Sequence, residues 1–354
     1  MWHRFHGRDR ERDQIVGLLE AAETGRGQTL LVEGAEGMGK SALLAAATAE
    51  AERRGFGVAT AQAGGGNDVP PLAPFFHALG EATSAAGPGD APPTSDRRSW
   101  LMEQLWLIEQ LPLLLTARSE NGPLLVTIDD LQWADPTTLL ALRVLPPRLA
   151  PSHFCWLVTR RSGEGGPALD QLFDMLEHDG AGRTVLGPLG DDTVAETLTD
   201  VIGAVPAPNV LALAGEAGGN PGLVVALAEG LRDEDGLVIE GGRARLASER
   251  LPRRFHALVA DRLAPLAPET GHLLEVASLL DRWFAVDELA AVLGKPPSGL
   301  LPVLDEALGA GVLQTTGPHL GFWCGLARRA VAETIPEPVR NALRRQIGSV
   351  SRAR

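Results

Sequence analysis

The 354-residue sequence predicts an α/β protein: a doubly wound parallel sheet in the first half, followed by a mostly helical region. Three observations predict it. Short apolar runs at 29–32, 56–62, 123–130 and 154–159 alternate with helical stretches, the pattern of β–α–β crossovers. The run Leu124-Leu125-Val126-Thr127-Ile128 is apolar almost without alternation, as in a strand covered on both faces. Beyond about residue 190 the apolar spacing becomes helical.

Each element follows from its residues. Ile15, Leu18 and Leu19 stand at helical spacing within a charged lead-in. The strand Thr29-Leu30-Leu31-Val32 ends in a glycine-rich turn, and Ser41–Ala47 is rich in strong helix formers. Residues 85–93, dominated by Ala, Gly and Pro, read as a loop. A long helix is expected over 99–118, with Pro112 kinking it or lying near its end. Helices are expected over 191–203, 209–217, 221–234 and 254–266. A hairpin is expected around Gly241-Gly242, and another turning at Gly317-Pro318. Helices, a hairpin and a basic helix suggest a winged-helix module over 250–354. The expected organisation is a nucleotide domain over 1–189, a helical lid over 190–249 and the winged-helix-like domain over 250–354.

Composition narrows the function classes. A net charge of −13 argues against a chain built to coat nucleic acid. Cys155 and Cys324 are the only cysteines and sit far apart, so neither a disulfide scaffold nor a four-ligand zinc site is expected. No apolar run approaches the roughly 18 residues of a membrane span, and no apolar signal core follows Met1. A cytoplasmic protein without a membrane partner is expected. Lysine is scarce, with Lys40 and Lys295 standing beside 30 arginines. A lysine kept in that background is the more interesting for it.

Lys40 closes Gly34-Ala35-Glu36-Gly37-Met38-Gly39-Lys40-Ser41, a phosphate loop complete at every required position and set between a strand and a helix. The glycines let backbone N–H groups wrap an anion at the positive end of a helix. Gly34 through Ser41, with Ala42, are the expected nucleotide-binding residues. Lys40 is expected to reach the β- and γ-phosphates of ATP or ADP, and the Ser41 hydroxyl to ligate Mg2+. The alternative is an ordinary strand-to-helix turn with a solvated lysine. Asp129 and Asp130 end a buried strand. Asp129 is placed to share the Mg2+, and Asp130 to orient or deprotonate the attacking water; blandly, the pair caps a turn.

Ile128-Asp129-Asp130-Leu131-Gln132-Trp133-Ala134-Asp135 resembles the acidic strand of the large ATP-binding regulators of the LuxR type. These regulators belong to the signal-transduction ATPases with numerous domains and carry an AAA ATPase domain. Phe5-His6-Gly7-Arg8-Asp9 resembles that family's N-terminal signature, which implies that Gly7 and Arg8 lie near the adenine. Val158-Thr159-Arg160 resembles its sensor strand. Either Arg160 or Arg161 then reads the γ-phosphate, and motif register favours Arg160. Leu186-Gly187-Pro188-Leu189 resembles the motif that opens the helical part, and Gly219-Asn220-Pro221 the turn whose proline, Pro221, lines the nucleotide. Trp133 is expected to pack rather than to do chemistry.

The resemblance implies a P-loop NTPase fold and a regulatory ATPase that switches between ADP and ATP–Mg2+, hydrolyses slowly, and self-associates when ATP-bound. The rival reading is an assembly module that holds nucleotide structurally; a metabolic kinase is disfavoured because no acceptor motif is present. Two departures stand out. Phe322-Trp323-Cys324 puts cysteine where the family carries histidine, and Cys324 is expected to be a small buried hydrophobe. The sequence also stops at Arg354, without the family's helical repeats or helix-turn-helix, so it is either part of a longer regulator or a stand-alone module. DNA contact by this chain is not expected. The stretch 325–354, with seven arginines against two glutamates, is expected to be a solvated helix.

Overall fold

Alternation at every second residue decides how the first sheet is covered. In a computed structural model that describes residues 6–64, 72–78, 97–119 and 122–352, five parallel strands stand in the order β2-β3-β4-β1-β5. The side chains of 97–104 and 351–352 fall outside that description, as do the expected loop at 85–93 and Phe5. The chain divides into two compact units after Gly187.

In the first unit, α1 (Asp9–Glu23) precedes β1 (Gln28–Gly34), α2 (Lys40–Arg53) and β2 (Gly57–Gln62). Then come α3 (Ala73–Ala78), α4 (Arg97–Arg118), β3 (Leu124–Asp129), α5 (Pro136–Leu149), β4 (Phe154–Arg161), α6 (Gly166–His178) and β5 (Gly182–Leu186). Leu30, Val32, Leu125, Cys155 and Leu157 face one side and pack with Ile15, Leu18, Leu43 and Leu44 of α1 and α2. Leu31, Val126, Ile128, Trp156 and Val158 face the other and pack with residues of α3 to α6. The sheet is thus covered on both faces, and β3 is buried along its whole length. Trp156 meets Phe75 edge-on at 6.3 Å between ring centroids. The helix expected over 99–118 is α4, which continues for six residues beyond Pro112. Proline removes one N–H from the ladder, and packing of Leu111 and Leu115 into the core holds the helix across the gap.

The second unit is mostly helical: α7 (Asp191–Ile202), β6 (Val205–Pro206), α8 (Pro208–Gly215), α9 (Pro221–Asp233), and a hairpin of β7 (Leu237–Glu240) and β8 (Arg243–Leu246). The hairpin turns on Gly241 and Gly242, both at positive φ, as a two-residue mirror-image turn requires. Further on lie α10 (Arg253–Leu263), α11 (Pro268–Ser278), β9 (Phe284–Ala285), α12 (Val286–Leu293), α13 (Leu301–Gly309), β10 (Leu313–Thr316), β11 (His319–Phe322), α14 (Gly325–Thr334) and α15 (Glu337–Arg352). Strands β10, β11 and β9 form one small antiparallel sheet; β6 joins β8 in another. A single core centred on Phe255, Phe284, Leu227 and Leu274 runs through this unit.

Both cysteines are free and buried. Burial pushes the Cys155 thiol far up and the Cys324 thiol up to about 11. The Cys324 sulfur also accepts the Ala327 N–H at 3.3 Å and so caps α14. Neither thiol supplies thiolate at neutral pH. Both are expected to stay unmodified by a disulfide reagent in the native protein and to react once it is unfolded. Fast labelling of either in the native state would contradict this burial.

Candidate functional site

The carboxyl ends of the parallel strands converge on one edge, where open α/β sheets place their ligands. Strand β1 ends at Gly34 and turns through residues 35–39 into α2. Gly37 and Gly39 take φ of 77° and 90°, which side-chain-bearing residues adopt rarely; Gly39 is the cap of α2. Lys40 is 7% exposed. Its ammonium donates to the carbonyls of Gly34 (2.9 Å) and Ala35 (3.0 Å), leaving a third donor for a phosphate. Burial pushes the Lys40 ammonium below the usual lysine range, with Asp130 opposing, Arg161 adding to the shift, and Asp129 and Glu36 opposing.

The acidic strand delivers two carboxylates with different environments. The Ser41 hydroxyl donates to Asp129 Oδ2 at 2.5 Å. The Thr159 hydroxyl donates to Asp129 Oδ1, which also accepts the Asp130 N–H at 3.0 Å. A hydroxyl and a carboxylate oxygen at the foot of a phosphate loop are the hard donors that Mg2+ prefers, so this pair fits the ion the loop implies. Among the described residues no group of three or more His, Cys, Asp or Glu side chains could hold a metal alone.

Asp130 lies just past β3 at φ 58°, a left-handed conformation that carries strain for a residue with a side chain. Two amides hold it there: Gln62 Nε2 donates to its Oδ2 at 2.9 Å and Gln132 Nε2 to its Oδ1 at 2.7 Å. The side-chain Oε1 of Gln132 in turn accepts the Arg161 backbone N–H at 2.9 Å. A chain of hydrogen bonds therefore runs from Ser41 through Asp129, Asp130 and Gln132 to the end of β4. A cleft of about 590 Å3 opens beside Ser41 and Asp129, lined also by Thr48, Thr60 and His77.

The rest of the acidic motif is structural. Leu131 is buried, and Asp135 caps α5 by accepting the N–H groups of Thr137 (2.9 Å) and Thr138 (3.0 Å). Trp133, expected to pack, is instead 49% exposed, because the 3-10 turn over Leu131–Trp133 carries its side chain outward.

The two arginines after Thr159 separate by strand parity. Arg160 shares the face of Trp156 and Val158 and is 4% exposed. It pairs with Asp170 (2.5 Å) and Glu33 (3.3 Å), and its guanidinium stacks 4.2 Å over the Phe173 ring. The structure therefore takes Arg160, the residue favoured by motif register, away from the phosphate loop. Arg161 faces the opposite way and stands in register with Gly34 at the loop's first residue. It reaches Glu36 of the loop at 3.6 Å.

Arg8, at the start of α1, is buried, and its guanidinium donates to the carbonyls of Gly187 (2.5 Å) and Met38 (3.4 Å). It is thus tied to the phosphate loop rather than exposed, with Gly7 in a positive-φ turn before it. Pro221 belongs to the second unit, where Asn220 caps α9 through the Leu223 N–H at 3.1 Å. Gly219 accepts the Leu189 N–H at 2.8 Å, joining the two motifs of that unit. Sequence reasoning assigned no role to Gln62, Gln132 or the Thr159 hydroxyl.

The fold and this edge define a P-loop, nucleotide-binding module in the first unit. The comparisons agree with that class. Residues 4–157 match the family model described as AAA ATPase domain, a stretch that takes in the loop and the acidic strand. No curated protein sequence matches the chain. Among solved structures it is similar to the Walker-type ATPase of Pyrococcus abyssi, at 17% identity over 92% of this chain and 95% of that one, with a TM-score of 0.50. It is also similar to the Aeropyrum pernix ORC2 protein in its ADPNP–ADP complexes, at 14% identity over 98% and 94%, with a TM-score of 0.52. A signal-transduction ATPase with numerous domains from Pyrococcus horikoshii, bearing a tetratricopeptide repeat sensor, aligns at 16% identity over 96% of this chain and 44% of that one. Its TM-score is 0.37. At such identities the likeness shows the fold alone.

Proposed function

We propose that the chain is a regulatory nucleotide switch that rests with ADP, is turned on by ATP with Mg2+, and hydrolyses ATP slowly in the service of a transcriptional regulator of the LuxR type. The observation that carries this reading is the hydrogen-bonded chain from Ser41 to Arg161, because it links the metal-ligand pair to the residue that faces the loop. Lys40 holds the β- and γ-phosphates, and Ser41 and Asp129 hold Mg2+. When bound, the ion neutralises charge on the transferring phosphoryl oxygens. Asp130 orients the attacking water through a carboxylate lone pair that its two amide partners leave free.

Arg161 takes the sensing role in place of Arg160. A γ-phosphate near it competes with Glu36 and alters the end of β4 in one nucleotide state only, the differential contact a switch needs. Gly7 and Arg8 border the adenine, and Pro221 belongs to a helical lid over 190–249. The hairpin of β10 and β11 beside α11 to α15 supports a winged-helix reading of 250–354. Self-association in the ATP state and a cytoplasmic location belong to the same proposal.

Limited proteolysis with ADP and with a non-hydrolysable ATP analogue tests the switch. Different fragment patterns are expected; identical ones would assign the nucleotide a purely structural role. In a turnover assay, Asp130→Asn is expected to lower ATP hydrolysis about 100-fold, the scale of a lost general base. ADP affinity should stay within about twofold, since Asp130 touches no diphosphate oxygen in this mechanism.

A further inference from the structure

The second unit holds a cavity of about 410 Å3 whose walls carry four arginines, Arg250, Arg329, Arg340 and Arg344, and two carboxylates, Glu249 and Glu333. The protein as a whole is strongly acidic, so a concave cluster of this sign is unexpected. The stretch 325–354, read from sequence as a solvated basic helix, contributes three of the four.

The partners of these groups sort them into frame and arms. Glu333 accepts the Leu251 N–H at 3.2 Å and Arg329 Nε at 3.1 Å, and lies 3.3 Å from His256 Nε2. Arg329 is fixed by Glu333 and by the Glu249 carbonyl, with Glu216 at 3.7 Å. These two charges are spent on each other. Arg250, Arg340 and Arg344 have no carboxylate within ion-pair distance among the described residues. Arg340 reaches the Ala332 carbonyl at 3.3 Å, and its Nε is buried with no hydrogen-bond partner. Arg344 follows it by four residues on α15, on the same helix face. Arg250 approaches from the segment before α10. Three guanidiniums are thus left facing one concavity with only Glu249 opposing.

Guanidinium forks match phosphate oxygens two at a time, and like charges gathered in a concave site are stabilised by a counter-anion. We propose that this cavity is a second anion site, taking a compact ligand with two or more adjacent phosphates. It goes beyond the nucleotide site of the first unit and does not rest on its being a switch. Inorganic pyrophosphate and the diphosphate of a nucleotide share the chemistry that would be recognised.

The test uses the full chain carrying Lys40→Ala, which weakens phosphate binding at the loop by about 100-fold. Calorimetry with pyrophosphate is expected to show one site whose affinity falls as salt rises. Adding Arg340→Gln with Arg344→Gln should weaken it at least about tenfold, the loss of one charged hydrogen bond or more. Adding Arg345→Gln, which does not line the cavity, should leave it unchanged. If ADP binds the same protein and is displaced by pyrophosphate, the site accepts nucleotide; if only pyrophosphate binds, it reads phosphate alone. Thermal melts establish that the variants fold. No binding to the Lys40→Ala protein, or equal binding by all three variants, overturns the proposal. So does binding of a short DNA duplex that pyrophosphate fails to displace, which would assign the arginines to nucleic acid.

Discussion

Replacing Lys40 with alanine is expected to weaken binding of both ADP and ATP–Mg2+ by about 100-fold, near the upper range for one charged hydrogen bond. The ammonium already sits in the loop, anchored on Gly34 and Ala35, so little ordering is needed when phosphate arrives. Removing it leaves those two carbonyls unpaired but also relieves the burial of a charge, and the change in stability of the unliganded protein should be small. Thermal shift separates the effects. The wild-type melting temperature should rise with ADP concentration as mass action requires, and that of Lys40→Ala should need about 100-fold more ADP for the same rise. An unchanged ADP shift in the variant would remove the loop from the nucleotide site.

The same lysine sets a pH dependence whose sign follows from its burial. Its pKa in the free protein is below the ordinary lysine value, and bound phosphates favour the charged form. Nucleotide affinity should therefore fall as pH rises through that lowered value, and binding there should take up a proton. For the unliganded protein the linkage runs the other way. The unfolded chain holds the Lys40 proton more tightly, so this group's contribution to stability increases with pH up to the unfolded lysine value. Calorimetry in buffers of different ionisation enthalpy reads the proton uptake directly, and Lys40→Ala should abolish it.

How much of this site is legible in the residue string depends on the distance over which each interaction acts. The phosphate loop is local: strand, glycines, lysine and helix occur within about a dozen residues, and so they read plainly. The acidic run reads as a strand end because its apolar stretch stops at Asp129. The amide that holds Asp130 from β2 comes from Gln62, 68 residues away, and no local pattern marks it. Gln132 was visible within a distinctive motif, yet its bridging role needs the register of β4 against β3. Two-residue strands such as β6 and β9 carry no periodicity at all. Trp133 misleads for another reason, since aromatic character suggests packing and only the geometry of the turn exposes it.

Arg160 and Arg161 could have been separated from the sequence by counting parity along the strand, and they make the sharpest test of the site. Trp156 and Val158 face the α3–α6 side of the sheet, so Arg160 follows them and Arg161 does not. Arg160→Met is expected to cost about 3 kcal/mol of stability, the lower end for breaking a buried ion pair. It leaves Glu33 and Asp170 without this guanidinium, while Arg183, at 2.5 Å from Glu33, limits the damage. Nucleotide discrimination should survive in whatever fraction remains folded. Arg161→Met should show the reverse pattern. Its side chain is partly exposed and its ion pairs, at 3.6 and 3.9 Å, are loose, so stability should change by less than about 1 kcal/mol, as for surface pairs. The ratio of affinities for an ATP analogue and ADP should fall at least about tenfold, because only the former presents a γ-phosphate to a charged donor. Chemical denaturation and calorimetry on the two variants read both quantities. A loss of discrimination in Arg160→Met at unchanged stability would return the sensing role to Arg160 and overturn the assignment by strand face.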